Sequence, residues 1–386
     1  MTEKLYYTEP LTMDFTARVL SCVREGDLWA AELDRTAFFP EGGGQPSDTG
    51  MLDASAVTHV RESAGRILHL CAAPLDPGAE VNGQVDRELR FARMQIHSGE
   101  HVVSGIAHRE WGCENVGFHM SESAAVIDFD RELSPGQLAA LEAMANRAVW
   151  EDLPIRTLFP TAEELPSIHF RQKKELSGQI RLVEIPGVDL CACCAPHLPS
   201  TGRIGLIRLT DMMRHRGGVR LTLTAGQAAY AQAAALGAEA EALSRLFSAP
   251  RSALAAAAER LLSELEERRQ SQAELERRYT ELLAQTIAPG EENLLRFEPG
   301  PLSSAAMRSL AEALSEKCAG IAGVFVPEGD GWRYVMASRR ADLRAGAKEI
   351  NASLRGRGGG APGMIQGGAA AARREIEEYF HGKKFG

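Results

Sequence analysis

The amino-acid sequence predicts a multidomain chain of mixed α/β and α+β class, and changes of pattern along its 386 residues support this. Short alternating segments separated by turns fill residues 1–88, which predicts a small N-terminal β-barrel. Strand-like and helix-like segments alternate over residues 89–225, which predicts an α/β core. Residues 226–286 are rich in Ala, Glu, Arg and Leu, which predicts an antiparallel helical hairpin or coiled coil. Residues 290–386 are predicted to form a C-terminal α/β module.

Composition and cysteine usage predict a soluble cytoplasmic protein. The chain opens without a basic region followed by an apolar run, and no stretch is apolar for long enough to span a bilayer. Of the seven cysteines, an odd number, three crowd into residues 191–194, which favours metal binding in a reducing compartment over a disulfide framework. A membrane partner is therefore not expected.

The charge distribution bears on nucleic-acid binding in two ways. A net charge of −9 argues mildly against an RNA or DNA partner, because phosphate contacts require Lys and Arg. Residues 332–386, however, carry eleven Lys or Arg against five acidic residues. This local surplus predicts either a surface that faces RNA or an ordinary solvated face.

In the N-terminal domain, residues 15–23 and 28–33 are the clearest strands, and turns at residues 25–27 and 76–78 punctuate the sequence. The glycine-rich segment 38–50 contains three consecutive glycines followed by Gln45. No helix signal follows the glycines, so a loop that binds a dinucleotide or a nucleotide triphosphate is not expected. Two interpretations stay open: a tight turn between strands, or a backbone that approaches a ligand closely while Gln45 donates and accepts hydrogen bonds.

The core is organised around a helix predicted over residues 89–106, which places Leu89, Ile96, Val103 and Ile106 against a hydrophobic core. The other elements expected in the core are a strand at residues 118–129, helix caps at 134–137 and 161–164, a strand at 180–185, and a hairpin of 204–209 with 219–223 around 214–217.

Two pairs of residues with the same spacing predict a zinc site. His97 and His101 lie four apart on the predicted helix and therefore point into the same space, as two ligands of one metal ion should. Cys193 and His197 repeat this spacing on a short irregular loop. Thiolate and imidazole are typical ligands of tetrahedral Zn²⁺, so we predict one zinc ion per chain bound by these four residues. Cys191 and Cys194 remain open as alternative thiolate ligands.

The helical region shows leucines at heptad spacing and one interruption. Leu254, Leu261, Leu275 and Leu282 recur in this way, and residues 248–250 interrupt the run. The partner positions are occupied by Ala258, Leu265 and Tyr279. The pattern predicts two antiparallel helices that hold the C-terminal module or a second protomer.

The motifs, in this order, resemble the editing domain of alanyl-tRNA synthetase and its free-standing relatives, the AlaX proteins. The resemblance rests on the His-x-x-x-His of residues 97–101, the Cys-x-x-x-His of 193–197 followed by Ser-Thr-Gly-Arg-Ile-Gly, and the glycine-rich segment 38–50. The glycine-rich residues 358–368 are similar to the DHH-associated C-terminal domain of that synthetase, which is typical of a long free-standing form.

The resemblance implies a zinc-dependent deacylase that hydrolyses the ester joining serine or glycine to tRNA specific for alanine. It also implies that the C-terminal domain either grips the tRNA body or mediates a homodimer. Glu100 and Gln45 are the candidate catalytic residues, and Gln45 is also expected to bind substrate. Two roles stay open for Glu100 beside His101: a general base, or a helix residue that only supports a ligand or faces solvent. The remaining substrate-binding residues are expected to be Gly42, Gly43, Gly44, His119, Ser121 and Glu122. The synthetases tend to carry Gln where this chain has Glu122.

Four protein ligands would close a tetrahedral zinc site, whereas catalytic zinc usually keeps one open position. The ion therefore either expands its coordination when substrate arrives or organises the pocket while another group activates water. Three rival functions also remain open: an inverted-motif zinc peptidase suggested by His-x-x-Glu-His, editing of Ser-tRNA for threonine, and non-catalytic zinc-stabilised RNA binding.

Overall fold

The computed structural model describes residues 2–172, 180–290 and 292–385, and the chain divides into two compact units, Met1–Glu241 and Ala242–Gly386. The described part contains eight α-helices and several β-sheets, so the prediction of a mixed α/β multidomain chain is confirmed. None of the described helices has both the length and the apolar character needed to cross a membrane.

The described residues of the first unit form fifteen strands, helices α1 to α3 and the start of α4. The helices are α1 Leu5–Thr8, α2 Arg87–Trp111, α3 Pro135–Trp150 and α4 Gly226–Phe247. The strands are β1 Glu3–Lys4, β2 Asp14–Glu25, β3 Leu28–Leu33, β4 Arg35–Thr36, β5 Gly50–Leu52, β6 Ser55–Ser63, β7 Arg66–Cys71, β8 Glu80–Val85, β9 Asn115–Met120, β10 Ala125–Phe129, β11 Arg156–Leu158, β12 Leu182–Ile185, β13 Asp189–Ala192, β14 Ile207–His215 and β15 Gly218–Ala225.

Six strands of the N-terminal region pair in a closed ring, in the order β2-β3-β7-β6-β5-β8 and back to β2. Successive residues of a strand face opposite sides of the sheet, so the alternating sequence of β8 buries Val81, Gly83 and Val85 and leaves Asn82 and Gln84 exposed. The strands predicted at residues 15–23 and 28–33 lie within β2 and β3.

Helix α2 lies at the centre of the first unit. Asp86 caps its N-terminus by accepting a hydrogen bond from the backbone N–H of Leu89, and Gly112 ends it in the left-handed conformation. Ile96, Val103 and Ile106 are buried as predicted, whereas Leu89 is only half-buried. A single hydrophobic core joins these residues with the ring of strands, and residues 1–241 form one compact unit; a domain boundary near residue 88 stays a prediction.

One four-stranded sheet of the first unit, in the order β14-β15-β10-β9, and the start of helix α3 correct one prediction and confirm two others. The strand expected over residues 118–129 is two strands, β9 and β10, because the polar residues between them form a turn. Strands β14 and β15 form the predicted hairpin. Ser134 and Gln137 form the predicted capping box at the start of α3, whereas residues 161–164 precede only a short 3-10 turn.

The second unit is a five-stranded sheet with helices on both faces. Its elements are α5 Leu254–Thr286, α6 Ser304–Ser315, α7 Leu343–Ser353, α8 Arg373–Phe380, β16 Leu294–Phe297, β17 Ala322–Glu328, β18 Gly331–Ala337, β19 Arg357–Ala361 and β20 Met364–Ala369. The strand order is β16-β17-β18-β20-β19, so the glycine-rich residues 358–360 lie on the edge strand. The helical run is interrupted as expected, between α4 and α5, and the antiparallel packing of these helices stays a prediction.

Candidate functional site

The structure brings together the four residues predicted to bind zinc. His97 and His101 lie one turn apart on α2 and stack with a ring-centroid separation of 5.5 Å. The segment after β13 carries Cys193 and His197 to the same place, where the ligand atoms of all four residues lie within 4.8 Å of one another. The Sγ of Cys193 lies 3.3 Å from Nε2 of His197 and 3.6 Å from Nε2 of His97. The geometry therefore suits a single metal ion.

Each histidine of this cluster is oriented by a hydrogen-bond partner at its Nδ1 atom. Nδ1 of His97 lies 2.7 Å from Oε1 of Gln45. Nδ1 of His101 lies 2.8 Å from Oδ2 of Asp189, and Nδ1 of His197 lies 3.2 Å from Oγ of Ser98. Metal-binding histidines almost always use their second nitrogen in this way, which fixes the ring and leaves Nε2 for the ion.

Asp189 is itself held by a buried arginine. The guanidinium of Arg171 donates to both carboxylate oxygens, from Nε to Oδ1 at 2.7 Å and from Nη2 to Oδ2 at 2.9 Å. Burial raises the pKa of Asp189, but the hydrogen bonds from His101 and Arg171 outweigh burial and lower it below the usual range. The carboxylate is therefore charged and able to orient His101.

The protonation states of the cluster also favour metal binding. Burial opposes ionisation of Cys193, yet its electrostatic interactions with the imidazoles of His97 and His197, and its hydrogen bonds with His101 and His197, hold its pKa well below the usual range. Burial lowers the pKa of His197 to about 3, so that imidazole is neutral. The exception is His101: burial opposes its protonation, but Asp189 and Cys193 raise its pKa to about 9. A metal ion would have to displace that proton, while the thiolate and the neutral imidazole already match the forms that bind metal.

The other two cysteines of the loop lie in different surroundings. Cys191 is fully buried beside Asp189 and His101, and burial raises the pKa of its thiol. Cys194 is exposed and lies next to the turn formed by Gly42 and Gly43. The arrangement therefore favours Cys193 as the thiolate ligand, and the residues present fit zinc, because thiolate and imidazole are both typical zinc ligands and four of them match a tetrahedral site.

The glycine-rich segment forms a tight turn and also lines a cleft. Reciprocal backbone hydrogen bonds join Gly42 and Gln45, and Gly43 and Gly44 both have positive φ, at 60° and 84°. Gly44 packs so closely that a Cβ atom would lie 2.4 Å from the carbonyl oxygen of Phe118. The interpretation as a tight turn is confirmed. The turn also borders a cleft of about 380 Å³, and a close approach of this backbone to a ligand stays a prediction.

Gln45 connects the cleft with the metal ligands. Its side chain is fully buried, and its Oε1 atom contacts His97. Its Nε2 atom is buried and has no hydrogen-bond partner among the described residues. A buried donor without a partner is costly, so this amide N–H group is a candidate to donate a hydrogen bond to a ligand. The cleft is lined by Glu41, Gly42, Gly43, Gly44, Gln45, Pro46, Arg61, Glu62 and His119.

The remaining predicted site residues differ in position. His119 is exposed on β9 and lines the cleft. Ser121 and Glu122 are exposed in the turn after β9 and are not among the lining residues; the Ser121 hydroxyl donates to the carbonyl oxygen of Ala124. Glu100 is fully buried, with Oε2 at 3.9 Å from Nε2 of His101. Its Oε1 atom accepts hydrogen bonds from Ser104 at 2.6 Å and Asn115 at 2.5 Å.

Sequence reasoning missed the residues that support the ligands. Asp189 begins the cysteine loop. Only its closeness in the chain to Cys191 and Cys193 could have suggested that it contacts a metal-binding histidine. Ser98 follows His97 directly, but nothing in the spacing shows that it reaches His197. Arg171 carries no local signal, because its partner lies 18 positions away on another strand.

Comparison with known proteins was made on both sequence and structure. The family model of the threonyl and alanyl tRNA synthetase second additional domain matches residues 180–221, which include Cys193 and His197. The alanine–tRNA ligase of Pyrococcus abyssi is 31% identical over 95% of this chain and 42% of its own length. That of Methanoregula boonei is 31% identical over 95% of this chain and 41% of its own length.

A third relative, the alanine–tRNA ligase of Pyrococcus furiosus, is 32% identical over 82% of this chain and 36% of its own length. The chain thus spans about two fifths of the length of these relatives. Among solved structures, the C-Ala domain of Aquifex aeolicus alanyl-tRNA synthetase covers 24% of the chain at 18% identity, with a TM-score of 0.21 that is too low to support an argument. The sequence relationships and the matched family model show that this chain is related to alanyl-tRNA synthetases and to their editing domain.

Proposed function

We propose that this protein is a zinc-dependent deacylase that hydrolyses serine or glycine from wrongly charged tRNA specific for alanine, acting in trans. The similarity to alanine–tRNA ligases supports a function connected with tRNA. The observation that carries the hydrolytic proposal is the buried cluster of His97, His101, Cys193 and His197 joined through Gln45 to an open cleft.

A physical requirement explains why such an activity exists. An apolar pocket built for alanine cannot strongly reject serine, which adds only a hydroxyl, or glycine, which is smaller. A second site must then bind the wrong product through polar contacts. Gln45 offers such a contact, because its unpartnered amide N–H group can donate to the serine hydroxyl or to the ester carbonyl. His119 is the further polar group that we place at the cleft wall.

Zinc held by the four ligands would supply a Lewis acid and a fixed positive charge beside the ester. Side chains of this protein would carry out the other steps of the hydrolysis. We assign Glu100 as the group that accepts the proton of the attacking water, because its Oε2 atom lies 3.9 Å from His101 Nε2 while Ser104 and Asn115 hold Oε1. Full burial of Glu100 keeps bulk water away from this position.

The second unit is the proposed contact for the tRNA body. Part of its positive charge is neutralised, for example in the pairs Arg373–Glu377 and Arg374–Glu378. Within the described residues, Arg344, Lys348 and Arg357 have no ion pair and remain available for phosphate groups. Replacing these three by Glu should weaken binding of intact tRNA more than tenfold and leave deacylation of a short acceptor-stem substrate unchanged. Equal loss on both substrates would contradict this role.

A homodimer is the second proposed role of the helical region and the second unit. Leu261, Leu275 and Leu282 of α5 are exposed, which would suit a second copy of the chain. Sedimentation of the wild type and of Leu275→Glu tests this proposal. A monomeric wild type would contradict it.

The decisive experiment measures deacylation of alanine tRNA charged with serine, glycine or alanine, together with zinc content. Wild type should remove serine or glycine rapidly and spare alanine, and Cys193→Ala should lose both zinc and activity. Bound zinc without hydrolysis of any of the three would refute the proposal for alanine tRNA. Ser-charged threonine tRNA then tests the other branch of the family, and binding without hydrolysis would indicate a binding-only protein.

A further inference from the structure

A buried arginine outside the metal cluster holds the glycine-rich segment against α2. Arg90 has no exposed surface, and its guanidinium donates from Nε to Oδ2 of Asp48 at 2.8 Å and from Nη2 to the same oxygen. It also donates to the backbone carbonyls of Ala37, at 2.5 Å, and Pro10, at 3.2 Å. A buried charge needs this degree of compensation, and a guanidinium supplies it in a rigid planar arrangement.

A second arginine holds the C-terminal end of the same segment, next to Asp48. Arg93, one turn further along α2 and also buried, donates to the carbonyl oxygen of Ser47 at 2.6 Å. Asp48 closes the segment on itself, since its Oδ2 atom accepts from the backbone N–H of Phe39 at 2.7 Å. The glycine turn and Gln45 lie between these attachment points, so both ends of the segment are fixed to one helix.

The same helix carries the first metal ligand. Residues 90, 93 and 97 are separated by three and four positions and therefore lie along one face of α2. We propose that Arg90, Arg93 and Asp48 form a positioning clamp. The clamp sets the register of the glycine-rich segment on α2, so that Gln45 reaches His97. Its role in catalysis rests on the proposed function. The three residues do not touch the substrate; they act through Gln45.

The clamp is separable from the metal site because the hydrogen bonds of its two arginines are all to the glycine-rich segment, to Ala37 just before it and to Pro10. Arg93→Met removes the contact to Ser47 and leaves the Arg90–Asp48 pair in place. Asp48→Asn breaks that pair. Asp14→Asn is the matched control, since it breaks the exposed Arg87–Asp14 ion pair at the start of the same helix, where exposed pairs contribute little.

The first test measures kcat/KM for deacylation of Ser-charged alanine tRNA, with zinc content and thermal unfolding. Arg93→Met and Asp48→Asn should each lower kcat/KM roughly tenfold to a hundredfold, as displacement of a positioned group by about 1 Å does. Zinc should stay at one ion per chain, and Asp14→Asn should match wild type. Should Asp48→Asn fail to fold, Arg93→Met carries the test alone.

A double-mutant cycle separates positioning from general stability. If the clamp acts through Gln45, then Arg93→Met should cost no further activity in a Gln45→Ala background. Losses that multiply would overturn the proposal, because they would show that the clamp acts elsewhere.

A second readout does not depend on any activity. In the zinc-loaded protein, the Nδ1–H proton of His97 is buried in its hydrogen bond with Gln45 and should exchange slowly with solvent. Arg93→Met should accelerate its exchange at least tenfold in NMR spectra, and Asp14→Asn should not. If neither wild type nor any variant hydrolyses the ester, the proposed function is wrong, but this measurement still tests the clamp. Unchanged proton exchange in Arg93→Met would overturn the clamp proposal.

Discussion

Replacing Asp189 by Asn should weaken zinc binding through His101. The change keeps the shape of the side chain but removes the charge that now faces Nδ1 of His101 at 2.8 Å. Loss of such a supporting carboxylate typically lowers metal affinity 10- to 100-fold, which corresponds to about 1.4 to 2.7 kcal/mol. Zinc affinity measured by competition with a chelator of known affinity should fall by this factor.

The same substitution should also destabilise the protein without metal. Arg171 would keep its charge, with only 9% of its side chain exposed, after losing its bidentate partner. Breaking a buried ion pair from one side costs about 3 to 5 kcal/mol. The double variant Arg171→Met with Asp189→Asn should recover much of this loss in urea unfolding with excess chelator, because no unpaired charge remains. Its zinc affinity should stay low.

Asp128→Asn is the matched control for this pair of variants. Asp128 also accepts two hydrogen bonds from one arginine, Arg220, at 2.7 and 2.8 Å, but it orients none of the four metal ligands. Its zinc affinity should equal that of wild type. The reasoning would be refuted if Asp189→Asn, shown to be folded, bound zinc as tightly as wild type and the Asp128→Asn control.

Three further predictions concern stability and the metal site. His69 is fully buried, and burial lowers its pKa to about 4. The unfolded chain therefore binds a proton near pH 6.5 that the folded chain binds only near pH 4, so the free energy of unfolding should fall by about 3 kcal/mol from pH 6.5 to 4. His69→Gln should remove this dependence of stability on pH. Ser98→Ala should lower zinc affinity about tenfold in the chelator assay, because the third histidine loses its partner at Nδ1. Gly44→Ala should lower the free energy of unfolding, measured in urea, by more than about 1 kcal/mol, because a φ of 84° disfavours a side chain and the carbonyl of Phe118 leaves no room for a Cβ atom. Gly42→Ala is the control and should have little effect, since the nearest atoms would lie 3.8 Å from its Cβ.

The sequence alone predicted the features that depend on local geometry. A helical repeat puts His97 and His101 on one face whatever the rest of the chain does, and the burial of Ile96 and Val103 follows from the same period. The Cys-x-x-x-His spacing identified the loop that faces them. These predictions depend on residues a few positions apart, for which backbone geometry leaves little freedom.

Tertiary structure decided which side chains support those ligands. Gln45 and His97 are 52 positions apart, and His101 and Asp189 are 88 apart, so no local rule connects them. Three cysteines crowd one loop, and only the fold separates Cys193, which faces the histidines, from its neighbours. A contact between distant positions forms when strands and helices pack around a shared core, and side-chain spacing along the chain carries no record of that packing.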